Sequence, residues 1–400
     1  MADAPLFDRW RSRSPHYDDS HEAVCGSVRA FVTREILPFV DEWEAAGELP
    51  RDLHRKAAKA GVLGLGYPVE YGGSGALGTA SGVGDDFDIF HSLVQSEELC
   101  RPGAGGIPAS LQTHGIGLPP VLAAGSEELK QRIAPQVLSG EKIICLGITE
   151  PGGGSDVANL KTRAERRGDH YIVNGAKTLI TSGMRADYIT LAVRTGDAGM
   201  GGVSLLLVET DTAGVTRTKL DKMGWHASDT ATIHFDDVKV PADNLIGAEN
   251  AGFGPIMRNF NGERLGMAQQ AAAYSRVCYE DALDWARTRE TFGKPLVTRQ
   301  AIRHKLARML QMIQATQAMI DHAAWTVKTG CAFPGDFALL KVQATQTMEY
   351  CAREACQILG GASFVRGSRV ERIYREVRVM AIGGGSEEIM YDLASRQFGF

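Results

Sequence analysis

Residues 149–156, with the sequence Thr-Glu-Pro-Gly-Gly-Gly-Ser-Asp, join two hydroxyl side chains to three consecutive glycines. Pro151 fixes its own φ and has no N–H, while the glycines permit backbone conformations that a Cβ forbids. A loop of this kind presents amide donors and can lie flat against a polar, planar ligand. Composition alone is equally compatible with a glycine-rich surface turn.

A second segment, residues 287–300, places arginines beside an aromatic ring in the sequence Arg-Thr-Arg-Glu-Thr-Phe-Gly-Lys-Pro-Leu-Val-Thr-Arg-Gln. A guanidinium suits phosphate groups because it is planar and always charged, and Phe292 offers a ring face to a flat ligand. Gly293 and Pro295 are also ordinary stop signals behind a helix with arginine in its last turn. The segment can therefore be both a ligand-binding segment and the end of a helix.

The spacing of apolar residues predicts helices on both sides of a central β region. A helical period runs through 18–140, as in Val24, Val28 and Phe31, and it returns after 252, as in Leu306 and Met309. Between 143 and 240 the period is that of strands. A chain of 400 residues exceeds one ordinary core. We therefore predict three domains, 1–140, 141–248 and 249–400.

Within the β region, residues 171–173 and 177–181 are strand-like and flank Asn174-Gly175. Asn-Gly favours a type I′ turn, so these residues predict a β-hairpin. Further strands are predicted over 188–193, 203–208 and 232–240.

The glycine loop after a short strand resembles the flavin-contacting loop of the acyl-CoA dehydrogenases. Residues 287–300 and 357–364, the latter reading Gln-Ile-Leu-Gly-Gly-Ala-Ser-Phe, resemble two further segments of that family in the same order. The likeness covers nearly the whole chain. It implies a multidomain α+β fold with an N-terminal helical domain, a central β-barrel-like domain and a C-terminal four-helix bundle.

The resemblance also implies FAD as the cofactor. No protein side chain accepts a hydride, so hydride chemistry requires a cofactor. The matching residues between Arg289 and Gly361 correspond to family positions that reach the FAD of a neighbouring subunit. The matching FAD-contacting residues are Leu146, Ile148, Thr149, Gly154, Ser155, Leu179, Ile180, Thr181, Arg289, Phe292, Gln300, Gln357, Gly360, Gly361, Ser386 and Glu388.

Two positions depart from the family pattern. Leu179 stands where the family usually has Trp before Ile-Thr, and Ser363 replaces a glycine. Leu179 can cover a ring by dispersion but cannot stack as an indole does, so we expect altered flavin stacking with binding retained.

A catalytic base, which would remove the α-proton of the acyl group, is implied by a further resemblance within the family. Many members carry it as Glu in a Tyr-Glu-Gly-Thr stretch near the C-terminus, and counting back from Ile389 puts Gly384 at that position. A branch resembling isovaleryl-CoA and long-chain acyl-CoA dehydrogenases carries the base on an earlier helix, in a Glu-Arg-Leu stretch. The match here is Glu263-Arg264-Leu265, so Glu263 is the implied base. Its pKa should be raised towards neutrality by desolvation. A glutamate near a helix N-terminus is also a common structural feature.

The resemblance gives Gly384 a role as well, because its amide would help to polarise a thioester carbonyl. Substrate contacts are implied for Ser155, Arg264, Gly383 and Gly384. The expected reaction is α,β-dehydrogenation of an acyl-CoA to the trans-2-enoyl-CoA, as in β-oxidation of fatty acids. Glu263 would remove the α-proton while hydride leaves for flavin N5. The expected partners are an electron-transferring flavoprotein and three further copies of the chain, in a homotetramer that shares FAD across a dimer interface.

Two alternative functions stay open. A flavin-dependent monooxygenase of the same fold lacks the base, so Glu263 argues against it. A catalytically inactive CoA-thioester-binding protein is favoured by the departures at Leu179 and Ser363.

Composition excludes several other classes. A net charge of −5 argues against nucleic acid or an anionic membrane as partner, and no run of about 18 apolar residues would span a bilayer. The N-terminus shows no secretory signal and the seven cysteines are odd in number, so we expect a cytoplasmic protein. Residues 73–78 match GxGxxG without a preceding strand, so a loop over 72–84 is predicted instead of a dinucleotide site. His21-Glu22 lacks the second histidine of a zinc motif, and no metal is expected.

Overall fold

A computed structural model describes residues 6–73 and 87–400 of the chain. Most of the GxGxxG pattern and of the loop predicted over 72–84 therefore lies outside the described residues. The first helices are α1 (Leu6–Arg11), α2 (Asp19–Glu35), α3 (Val40–Ala46), α4 (Asp52–Lys59), α5 (Ile89–Cys100), α6 (Gly106–Leu111), α7 (His114–Gly117), α8 (Pro119–Ala124) and α9 (Glu127–Leu138).

The strands follow, and then the long helices. The sheet contains β1 (Ile144–Gly147), β2 (Arg163–Arg167), β3 (His170–Ile180), β4 (Tyr188–Arg194), β5 (Val203–Glu209), β6 (Val215–Lys219), β7 (Ala231–Pro241) and β8 (Leu245–Ile246). The remaining elements are α10 (Phe253–Thr288), β9 (Glu290–Thr291), β10 (Lys294–Pro295), α11 (Gln300–Lys328), α12 (Pro334–Leu359), α13 (Arg369–Ile382) and α14 (Glu387–Phe398). The predicted order of helices, sheet and helices is confirmed.

These elements form two compact units, and each unit is built from segments that are separated in the chain. The first unit contains Met1–Asp41, Gly78–Gly105 and Glu263–Phe400, and the second contains Glu42–Leu77 and Gly106–Gly262. The domain boundaries at 140/141 and 248/249 stay predictions.

The second unit is built on one sheet with the strand order β6-β7-β3-β2-β4-β5-β8, and β1 pairs with β4 in parallel. Strands β4 and β5 are antiparallel and buried along six consecutive residues each. Alternate residues serve two apolar clusters, because successive side chains point to opposite faces of a strand. Tyr188, Ala192 and Leu205 join a cluster with helices α8 and α9, whereas Leu191 and Leu206 join a cluster with β3 and β7.

The hairpin predicted at Asn174-Gly175 is wrong. Strand β3 runs without a turn through both residues and pairs with β7, and the register shifts between Val173 and Gly175. Asn174 donates to Asp237 across the strands at 2.9 Å, and Gly175 has a φ of 146°. Asn-Gly therefore forms a β-bulge here. The tight turn lies earlier, at Gly168, where β2 and β3 join with a positive φ of 65°.

The first unit is helical. Helix α12 packs against α11, α13 and α14, and α5 packs against α2 and α11. The apolar stripes predicted on α11 and α12 are buried, as Leu306, Met309, Cys351 and Ala355 show. All seven cysteines are free thiols. Within the described ranges, no helix combines the length and the hydropathy of a membrane span.

Candidate active site

The predicted flavin loop follows β1 directly in the second unit. The amide of Glu150 donates to the carbonyl of Gly153 at 3.1 Å and the amide of Gly153 donates back at 3.0 Å, which closes a tight turn. Residues 151–156 are exposed. A Cβ added at Gly152 or Gly153 would meet no atom within 4 Å. The loop therefore presents bare backbone to the surroundings, as the sequence predicted.

A buried ion pair holds the base of this loop. The ammonium of Lys177, on β3, donates to Glu150 Oε1 at 2.9 Å and to the carbonyl of Ile148 at 3.0 Å. Glu150 also accepts from the amides of Lys161 and Thr162, at 2.6 and 2.8 Å. Burial lowers the pKa of Lys177 to about 8, against the opposing effect of Glu150.

Burial alone would raise the pKa of Glu150, but Lys177 and Thr162 lower it to about 2. Both groups are therefore charged at neutral pH. Neither residue of this pair was predicted from the sequence, although Lys177 continues the inward alternation of Tyr171 and Val173 along β3 and could have been found by that signal.

The C-terminal end of β3 carries the next three predicted residues. Leu179 and Ser182 both adopt left-handed backbone conformations, with φ of 58° each, and the β3–β7 register shifts between Lys177 and Ile180. The side chain of Leu179 is 62% exposed, whereas Ile180 is buried and Thr181 is half-buried. Left-handed conformations of residues other than glycine cost free energy and concentrate at ligand sites.

The glycine loop after β1 and the end of β3 carry chemical groups that suit FAD. The exposed backbone at Gly152, Gly154 and Ser155 offers amide donors for the polar edge of a flavin, and Thr149 and Thr181 add hydroxyl groups. Leu179 offers an exposed aliphatic surface for a ring face. Leu146 and Ile148 lie on β1 and just after it, half-buried and buried, and position the loop.

Glu263 lies on α10 in the first unit and is half-buried. Burial raises the pKa of its carboxyl to about 7, against the opposing effect of Arg264. A carboxyl with such a pKa is poised to exchange a proton near neutral pH. The buried guanidinium of Arg264 donates through Nε to the carbonyl of Gly384 at 3.3 Å, so the structure brings two of the predicted residues into contact.

Residues 383–385 form a glycine loop between α13 and α14. Gly384 and Gly385 have φ of 67° and 111°, and a Cβ at Gly384 would lie 2.7 Å from Met267 Sδ. Met267 therefore fills the space beside Gly384. The positive φ favours glycine at 384, and a longer side chain there would require the flexible side chain of Met267 to move.

The acidic residues after the glycine loop are engaged elsewhere. Glu387 accepts hydrogen bonds from Thr345 and Gln346, both at 3.1 Å. Glu388 is exposed, and a backbone bond and Ser386 lower its pKa. Ser386 N-caps α14 by accepting from the amide of Ile389. Both glutamates are therefore engaged in local contacts at the start of α14, whereas burial raises the pKa of Glu263.

The remaining predicted cofactor residues lie on exposed parts of the first unit. Phe292 and Gly293 form a two-residue turn between β9 and β10, with φ of 52° and 73°, and the ring of Phe292 is 96% exposed. Arg289 and Gln300 are exposed on either side of this turn. The guanidinium of Arg299 lies 5.6 Å from the ring centroid of Phe292.

The end of α12 shows the same exposure. Gln357, Gly360 and Gly361 are exposed, and Gly360 has a φ of 61°. The hydroxyl of Ser363 donates to the carbonyls of Gly360 and Cys356 at 2.8 and 3.1 Å. Ser363 therefore stabilises the turn where the family pattern has glycine.

One cluster of titratable groups was not predicted. His21, Asp88 and His91 offer ligand atoms within 4.8 Å of one another. His21 and His91 occupy the third helical position in capping boxes whose N-caps are Asp18 and Asp88. Lys328 Nζ lies 2.7 Å from Asp88, which neutralises the carboxylate. These contacts give the cluster a structural role in helix capping.

Comparison with known proteins defines the class. Residues 18–141, 145–238 and 250–399 match the N-terminal, middle and C-terminal domain families of acyl-CoA dehydrogenase. The chain is 40% identical to an acyl-CoA dehydrogenase of Alternaria alternata, over 96% of this chain and 93% of that protein. The chain belongs to the acyl-CoA dehydrogenase family, and it is an oxidoreductase.

Solved structures agree. A probable acyl-CoA dehydrogenase from Mycobacterium abscessus superposes with a TM-score of 0.92 at 46% identity, covering 96% of this chain and 100% of that one. A glutaryl-CoA dehydrogenase from Mycobacterium smegmatis, solved in complex with FADH2, gives a TM-score of 0.87 at 27% identity, covering 96% and 95%.

Proposed function

We propose that this enzyme catalyses the FAD-dependent α,β-dehydrogenation of an acyl-CoA thioester to the trans-2-enoyl-CoA. The observation that carries the proposal is Glu263, a carboxyl on α10 whose pKa burial raises to about 7. An α-proton of a thioester is weakly acidic, so its removal needs a base that is held in a dry site and is unprotonated at neutral pH.

The residues divide the work between binding and proton transfer. FAD, when bound, supplies the hydride acceptor for the β-carbon. Thr149, Ser155 and Thr181 would hold its polar edge, and Leu179 would cover its ring. Glu263 takes the α-proton. The amide of Gly384 would donate to the thioester oxygen, where negative charge develops, and Arg264 and Gly383 would contact the substrate.

The exposed set Arg289, Phe292, Gln300, Gln357, Gly360 and Gly361 would contact FAD bound to a second copy, in a homotetramer. Ser386 and Glu388 would complete the cofactor contacts. We further propose that an electron-transferring flavoprotein accepts the electrons, that the enzyme serves fatty-acid β-oxidation, and that it works in the cytoplasm.

Anaerobic titration of the purified yellow protein with straight and branched acyl-CoAs tests the proposal. Bleaching of the oxidised flavin together with formation of the enoyl-CoA supports it. Bound acyl-CoA without bleaching would identify an inactive binding protein instead. Oxygen-dependent turnover by reversibly bound reduced flavin would identify a monooxygenase.

A further inference from the structure

The glycine loop at 383–385 is held by a buried lysine from another helix. Lys341 lies on α12 and is fully buried. Its ammonium donates to the carbonyl of Ala381 at 2.8 Å and to the carbonyl of Gly385 at 2.7 Å. One side chain therefore bridges the last turn of α13 and the loop that follows it.

Arg264 adds a bond from a second helix. Its Nε donates to the carbonyl of Gly384, the residue before the one that Lys341 holds. Met267, one turn further along α10, occupies the space beside Gly384. Glycines offer no side chain to fix their own conformation, so these three contacts define how the peptide groups of the loop are oriented.

Helix capping alone does not explain Lys341. A cation near the end of a helix is stabilised by the terminal carbonyls, and the bond to Ala381 is of that kind. The bond to Gly385 lies beyond the end of α13, in the loop itself. Burial of the ammonium also carries a cost, since it lowers the pKa of Lys341 to about 8 against the opposing effect of Glu387. A neutral capping residue would avoid that cost.

We propose that Lys341 is a positioning residue for the reaction, which orients the loop at 383–385 so that the Gly384 amide points at the thioester oxygen. This inference rests on the proposed dehydrogenase function. Lys341 itself would make no contact with the substrate. It acts by fixing the Gly385 carbonyl, while Arg264 fixes the peptide group in between.

The test compares Lys341→Met, which keeps the length of the side chain and removes its donors, with Lys305→Met. Lys305 pairs with Glu354 in the same unit and does not touch the loop. We expect Lys341→Met to lower kcat by about 10- to 100-fold with KM within about 3-fold, because a misaimed donor acts on the transition state. Lys305→Met should change stability without changing kcat.

Two readouts separate positioning from simple folding. The carbonyl stretch of a bound enoyl-CoA should shift less in Lys341→Met than in the wild type. In the cofactor-free protein, the amides of Gly384 and Gly385 should exchange hydrogen faster. If Lys341→Met is poorly folded, Lys341→Gln, which keeps one donor group, should give an intermediate kcat and carbonyl shift.

The outcomes distinguish this inference from the proposed function. Wild-type enzyme that fails to bleach with any acyl-CoA would overturn the function. Wild-type enzyme that bleaches, with a Lys341→Met variant of unchanged kcat and carbonyl shift, would overturn the positioning role alone. Variants that lose stability while their folded fraction keeps full kcat would assign Lys341 to folding, and would also overturn it.

Discussion

Lys177 Nζ lies 2.9 Å from Glu150 Oε1, and this ion pair joins the loop after β1 to the middle of β3. Beside this pair, the backbone carbonyl of Thr149 accepts a hydrogen bond from the amide of Thr178 at 2.9 Å. The predicted flavin loop and the predicted ring-covering residue Leu179 are therefore fixed to each other within the second unit. The pair sets their spacing, although neither Lys177 nor Glu150 was predicted to contact FAD.

Removing one partner should destabilise the protein and weaken FAD retention. Loss of a partner leaves the other charge buried, which typically costs about 3–5 kcal/mol, and the amides of Lys161 and Thr162 that still bind Glu150 reduce this for Lys177→Met. We expect a loss of about 2–4 kcal/mol for Lys177→Met and for Glu150→Gln, measured by chemical unfolding. The double variant should lose less than the sum.

A matched control is Lys161, whose backbone amide binds Glu150 while its side chain points to solvent. Lys161 is exposed, so Lys161→Met should change the free energy of unfolding by no more than about 0.5 kcal/mol. In the wild type, the folded pKa of Glu150 lies below its ordinary value of 4.5, so its contribution is present above pH 4.5 and is lost as the pH falls towards about 2. Strictly additive effects of the two substitutions would show that the pair is not coupled.

Ionised Glu263 should lower the free energy of unfolding at neutral and alkaline pH. Its folded pKa of about 7 lies above the ordinary value of 4.5, so the folded state binds more protons between these values and stability falls as the pH rises. The difference corresponds to roughly 3 kcal/mol. Glu263→Gln should therefore match the wild type near pH 4.5 and exceed its free energy of unfolding by roughly that amount at pH 8.

Glu371 provides the control of opposite sign. Burial alone would raise its pKa, but the adjacent Arg375 lowers it, so its contribution to stability is present above pH 4.5 and Glu371→Gln should destabilise at pH 8. A Glu263→Gln variant that is less stable than the wild type at pH 8 would contradict the raised pKa. The comparison uses cofactor-free protein, so it does not depend on turnover.

Alanine at 384 should disturb the glycine loop. The φ of 67° costs alanine about 1–2 kcal/mol, and its Cβ would lie 2.7 Å from Met267 Sδ. We expect Gly384→Ala to lose stability and most of its kcat. Gly266→Ala is the control, because it lies within α10 with open space around the new Cβ and should gain up to about 1 kcal/mol. Full activity of Gly384→Ala would refute the proposed role of this loop.

The histidine cluster predicts a second pH dependence. Burial alone would lower the pKa of His21, but Asp88 raises it, so its contribution to stability is present below 6.5 and is lost as the pH rises through the folded pKa. His21, His91 and Lys328 lower the pKa of Asp88 although burial opposes them, so its contribution is present above 3.8 and is lost in acid.

Asp88→Asn keeps an N-cap and removes the charge. It should cost about 1–3 kcal/mol at pH 5.5, and less at pH 8.5, because the charge on His21 is lost as the pH rises. The exposed neighbour of the first cap, Asp19, gives the control Asp19→Asn, with an expected change within about 0.5 kcal/mol at both values. Equal losses for Asp88→Asn at pH 5.5 and 8.5 would contradict this pH dependence.

Local periodicity predicted most of the helices and the strands β4, β5 and β7, but it did not predict β2 and β6 or every connection between the elements. Strands β4 and β5 could be predicted because their apolar runs are continuous. The hairpin predicted at Asn174-Gly175 is wrong because β7 pairs with β3 on both sides of these residues, and this pairing outweighs their intrinsic turn preference. The inward position of Lys177 could have been recognised from the alternation along β3. The acceptors of Lys177 and Lys341, however, are 27 and 44 residues away at Glu150 and Gly385, and no local pattern predicts those contacts.

Removal of the α-proton by Glu263 can be measured directly. Anaerobic mixing of enzyme with an acyl-CoA, followed by the visible absorbance of the oxidised flavin, measures that step. Glu280→Gln is the control, because Glu280 lies on the same helix and burial also raises its pKa, and it should bleach at the wild-type rate. We predict that Glu263→Gln binds the acyl-CoA and bleaches at least about 100-fold more slowly than the wild type. Bleaching of Glu263→Gln at the wild-type rate would contradict the account.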